Sequence, residues 1–121
     1  MALAREIMGG GFSSGQAKAM GGGVNSSISA AGTTQTTATL LNTSINVITT
    51  AASLSGVRLP VVEIGDELLI LNLGANTCIV YPDTGSTINA LPANTGFQLA
   101  SNTGCQVNKF TASKWVAFLS A

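Results

Sequence analysis

From Gly32 onward, no stretch keeps a helical period for a useful length, and the apolar residues recur in short runs instead. TTQTTATLL is rich in β-branched Thr, INVITT alternates, and GVRLP closes on Pro60. IGD feeds ELLILNL, GANT turns into CIVY, and Pro82 ends that run. DTGST leads to a short segment around Ile88, LPANTG to FQLAS, NTG to CQVNKFT, and Ala112-Ser113 to KWVAFLS. β-Branched and aromatic residues suit a pleated, half-buried surface, and Gly, Pro, Asn and Ser punctuate it. The pattern predicts about eight short strands over residues 33–121. It points to an all-β domain: an antiparallel small sandwich, jelly roll or barrel.

The first 32 residues read differently. Ala2 to Met8 and Gln16 to Met20 tolerate short helical turns, and each is ended by a run of three glycines. Isolated helices shorter than ~12 residues are marginal in water. Residues 1–32 are therefore expected to form a Gly-rich N-terminal arm, either flexible or ordered against a partner. An idle linker has no need of large apolar side chains, so Leu3, Ile7, Phe12 and Met20 are the candidate anchors. The glycine runs are not phosphate loops, since neither is followed by Lys and then Ser or Thr.

Two dense runs, ELLILNL and CIVY, flank the GANT turn and read as the strands of a hairpin. A strand wetted on one side should alternate apolar with polar residues. Leu68 to Leu71 and Ile79 to Tyr81 do not, and the last strand sets Trp115, Ala117 and Leu119 against Val116 and Phe118. Contiguous apolar surface on both faces needs two things to pack against. One is the domain's own core; the other is expected to be a second subunit, with Leu69, Leu71, Val80 and Phe118 as interface candidates. Only 8% of the residues are charged and the chain has no formal net charge, which favours association.

Little in the sequence speaks for catalysis. There is no His, which removes the commonest general base and metal ligand and any Ser-His or Cys-His pair. Glu63, Asp66 and Glu67 cluster at one turn, but without calcium-loop spacing, and they read as a solvated turn that blunts a strand edge. Arg58, the lone charge of its strand, has Glu63 and Asp66 or a neighbouring subunit within reach as partners. Cys78 and Cys105 read as small buried hydrophobes rather than a disulfide. Tyr81 and Trp115 sit inside apolar runs and read as core rather than as stacking platforms. The five basic residues are scattered, so no nucleic-acid groove is expected. No run approaches the ~18–20 apolar residues of a membrane helix, and the start lacks the apolar core of a signal peptide. No catalytic residue, metal, cofactor or small-molecule ligand is expected.

The string AGTTQTTATLLNTSINVITT, followed by GVRLP, GDELLILNLGANTCIVYPDTGSTINAL and the late Trp115, resembles a small β-domain of structural proteins of tailed bacteriophages. The matching stretches are Asn46 to Thr50, Gly56 to Pro60, Asn72 to Asn76, Val80 to Pro82 and Gly85 to Leu91. The resemblance covers roughly residues 29–121 and implies a virion structural protein without enzymatic activity. It implies a self-associating protein, expected to be a trimer, on the capsid surface. There it would act as decoration or cement that bridges capsomers through the major capsid protein; the arm, which lies outside the resemblance, is expected to grip the lattice as an anchor. The alternative it implies is a fibre-associated receptor- or glycan-binding module, which uses the polar loops Gly74 to Thr77, Asp83 to Thr87 and Ala93 to Gly96.

Overall fold

The computed structural model describes residues 23–120, which form ten strands and no helix. In chain order these are β1 (Val24–Ser29), β2 (Thr39–Leu40), β3 (Ile45–Thr50), β4 (Gly56–Arg58) and β5 (Glu67–Asn72). There follow β6 (Cys78–Tyr81), β7 (Thr87–Ile88), β8 (Phe97–Leu99), β9 (Thr103–Thr111) and β10 (Lys114–Leu119).

Through β6, consecutive strands do not pair with each other. β1, β3 and β5 lie side by side in parallel, and β2, β4 and β6 do the same in a second sheet. The chain runs along one wall, crosses to the other, and returns to the first wall one rung further on. Parallel neighbours always need such a crossover; here the opposite wall supplies it in place of a helix. After β6 the direction reverses. β8 adds antiparallel to β6, β9 antiparallel to β5, and β10 antiparallel to β9, with β7 parallel to β10 at the edge.

The domain is therefore all-β, but it is a β-solenoid of stacked parallel coils capped by an antiparallel end, not a sandwich, jelly roll or barrel. The antiparallel expectation treats neighbours in sequence as neighbours in a sheet, and GANT shows why that fails. β5 pairs with β3 and β9, while β6 pairs with β4 and β8, so the turn is a corner between walls rather than a hairpin loop. Asparagine side chains hold the corner. Asn72 Nδ2 donates to the carbonyls of Asn76 and Leu99, both at 2.9 Å, while its Oδ1 accepts from Gly74 N at 3.0 Å. Asn76 Nδ2 donates to Ala51 O at 2.9 Å and ties the corner to the coil before it. Such amides replace the backbone partners that a bend removes from a buried chain.

Two local expectations also change. Val24–Ser29, within the stretch read as an arm, form the first rung against β3; residues 1–22, with Leu3, Ile7, Phe12 and Met20, lie outside the described residues. The Thr-rich run is mostly turn. Thr34 and Thr37 bond through their hydroxyls at 2.8 Å, and Ala38 N donates to Thr34 O at 3.0 Å, leaving only Thr39–Leu40 as strand. Thr hydroxyls offer the backbone a local alternative to the ladder, and here that alternative wins.

The core fills the space between the walls. Ile48, Ile70 and Val107 from one sheet meet Val57, Val80 and Leu99 from the other, all fully buried. β5 resolves its unbroken apolar run into alternation: Leu68, Ile70 and Asn72 point inward, whereas Leu69 and Leu71 are on the outer face. Burying an apolar side chain such as Leu68 or Ile70 contributes roughly 1.5–3 kcal/mol. Asn46 is also fully buried; its Nδ2 donates to Thr43 O and Leu69 O, and its Oδ1 accepts from Thr43 Oγ1 at 2.6 Å.

Candidate functional site

Two surfaces stand out: a polar end of the coils and an apolar outer face. The polar end joins three loops that are distant in sequence. Gln35 Nε2 donates to Pro82 O at 2.8 Å and to Asn94 Oδ1 at 3.1 Å. The same Asn94 oxygen accepts from Gly85 N at 2.6 Å. Asn94 takes φ 65°, a left-handed conformation that Asn tolerates better than most residues. Tyr81 lies half-buried at the rim, and its hydroxyl donates to Thr33 O at 3.2 Å. The side chain expected to be core thus reaches the loop at Thr33, and its ring passes beside Gly96.

Beside this end lies a cleft of about 440 Å³, lined by Leu40, Arg58, Leu59, Pro60, Val61 and Thr84. Arg58 is mounted on β4, between β2 and β6, with Leu40 and Tyr81 as its cross-strand neighbours. Its Nη1 donates to Gln35 O at 3.4 Å, so the guanidinium meets the polar loops rather than the expected Glu63 or Asp66.

The outer face belongs to the larger sheet. Val24 pairs with Ile45, Ile45 with Leu69, Leu69 with Gln106, and Gln106 with Phe118. These positions form one outward row across five strands, apolar except for Gln106. A groove of about 480 Å³ runs beside it, with Leu69, Leu71, Leu73, Phe118 and Leu119 among its walls. Of the four interface candidates, Leu69, Leu71 and Phe118 come together here, whereas Val80 is fully buried in the core.

The acidic cluster is built into its turn. Asp66 is buried and accepts Glu63 N at 3.0 Å, and Glu67 Oε1 accepts from Gln106 at 2.6 Å and Asn108 at 3.1 Å. Both cysteines are free and buried. Burial pushes the Cys78 thiol up to about 11 and the Cys105 thiol up to about 12, where the Cys78 charge adds to the effect. Trp115 is fully buried, and its Nε1 donates to Asp83 Oδ1. Lys109, only 3% exposed, lies against the same carboxylate. Sequence reasoning missed this pair, although one signal was present: Lys109 shares strand parity with the inward Cys105 and Val107. No family model matches the chain, and no curated protein or solved structure matches it either, so the resemblance to bacteriophage structural proteins rests on its residues alone.

Proposed function

We propose that the domain is a fibre-associated receptor- or glycan-binding module, in preference to capsid cement. The observation that carries the reading is the tie between Gln35 and Asn94, which fixes loops 59 residues apart in sequence into one polar surface. Sugar recognition needs amide and hydroxyl groups held in place before binding, beside an apolar or aromatic plane for the C–H face of the ring. Thr34, Gln35, Thr84 and Asn94 supply the polar groups; Tyr81 and the Pro60 cleft supply the plane. A coil stack suits a fibre because its rungs repeat along one axis, each packing on its neighbours.

The outer face supports association of the module with further copies of itself. An apolar row across five strands on a chain without net charge offers packing area and no long-range repulsion.

A glycan array probed with the labelled full chain tests the binding reading. Binding to a defined set of surface glycans is the expected result. A blank array, alongside tight binding to intact empty capsids, would return the protein to the cement role.

A further inference from the structure

We infer that the cleft beside Arg58 takes an acidic sugar, with the sugar's carboxylate on the guanidinium and its C–H face on Pro60 and Val61. This rests on the glycan-binding reading and adds the charge class of the ligand.

The cleft has the composition of a ligand site: mostly aliphatic walls with a few polar groups that fix orientation. Val61 is 82% exposed and Leu40 is 52% exposed, so apolar surface stands in water at its mouth. Among the described residues, Arg58 is the one charged residue of its walls. Strands pair on both sides of β4, so the base of the side chain is rigid. Its bond to Gln35 O holds one edge of the guanidinium at the polar end. The planar fork matches a carboxylate with two parallel hydrogen bonds, which a neutral sugar hydroxyl cannot reproduce.

The neighbouring acid does not oppose an anion. Asp83 precedes Thr84 in the chain, but it is only 7% exposed. Its Oδ1 accepts from Trp115, and its Oδ2 lies 3.6 Å from Lys109 Nζ, so its charge is turned inward and balanced. At the mouth, a ligand meets the Arg58 cation and the exposed Thr84. The same guanidinium links the cleft to the polar end, since its Nη1 donates to the backbone carbonyl of Gln35.

The test compares glucuronate-containing and sialylated oligosaccharides with their carboxyl-reduced neutral forms and with sulfated ones, by calorimetry on the full chain. Reduction of the carboxylate is expected to weaken binding at least ~10-fold, and Arg58→Gln to cause a similar loss for the acidic ligand alone. Val61→Asp places a like charge on an exposed wall away from the core and is expected to weaken the acidic ligand selectively. It decides the matter even if Arg58→Gln fails to fold. Equal binding of acidic and reduced forms, or binding of sulfated forms only, overturns the inference and leaves the glycan reading standing. Binding of none of these ligands, with a blank glycan array, overturns both.

Discussion

Trp115 Nε1 donates to Asp83 Oδ1 at 2.8 Å, while the other oxygen of that carboxylate lies 3.6 Å from Lys109 Nζ. The ammonium also sits 5.4 Å from the centre of the Trp115 ring. One buried carboxylate therefore joins β9, β10 and the loop after β6. Replacing one member of a buried ion pair strands the other, which typically costs about 3–5 kcal/mol. Asp83→Ala is expected to lose stability of that order in urea denaturation. The double variant Asp83→Leu, Lys109→Met should recover only part of it: no charge is stranded, but Trp115 Nε1 still loses its buried acceptor. A single variant within about 1 kcal/mol of the parent would mean that water reaches the pair.

Two glycines test the coil packing in opposite ways. A Cβ on Gly96 would lie 2.7 Å from Val80 O, a backbone atom of β6 that cannot yield. A Cβ on Gly104 would meet Leu71 Cδ2 at 2.6 Å, the free end of a side chain on the outer face. Gly96→Ala is expected to cost about 1–3 kcal/mol, as overpacking usually does, and Gly104→Ala distinctly less. Thermal unfolding of the two variants side by side gives the answer.

The cysteines set an alkaline limit. The unfolded thiols ionise near 9.0, while the folded ones hold their protons to about 11 and about 12. The stability they contribute is fully present below the unfolded value and is lost as pH rises through the folded ones. Urea midpoints should therefore fall above pH about 9, and more gently in a Cys78→Ala, Cys105→Ala variant. At neutral pH, iodoacetamide should label the native protein only at the rate at which it opens.

The outer row bears on association. Leu69 and Phe118 flank Gln106 in register, with Phe118 60% exposed. Leu69→Lys with Phe118→Lys places like charges on that face without entering the core. In light scattering, the parent is expected as an oligomer and the double variant as a monomer of unchanged secondary structure by circular dichroism. Equal masses would remove this face from the interface.

The sequence carried the strands better than their partners. INVITT, ELLILNL, CIVY and KWVAFLS all lie in or over strands, because β-branched and aromatic runs bounded by turns are a local signal. Which strand lies beside which is not local. β3 beside β5 depends on Ile45 meeting Leu69 across a whole coil, and GANT looks the same as a corner or a hairpin. β1 was hidden because VNSSIS is polar and irregular: its register shifts after Asn25, whose side chain accepts Ser27 N. Of the candidate site, Asp83 to Thr87 and Ala93 to Gly96 were legible as polar loops, whereas Gly74 to Thr77 is the corner between walls, Gln35 lay in a run read as strand, and its contact with Asn94 and Pro82 joins segments that no spacing rule connects.

The central claim is that the polar end is the binding surface. It is tested most directly by titrating the isotope-labelled chain with a bound glycan and following amide shifts by NMR. Shifts concentrated in residues 33–37, 81–85 and 93–96 are the expected result. Asn94→Gly, which keeps the left-handed backbone but removes the bonds to Gln35 and Gly85, should weaken the titration at least ~10-fold. Shifts confined to the Leu69 and Phe118 face, or an Asn94→Gly variant that binds as well as the parent, would contradict it.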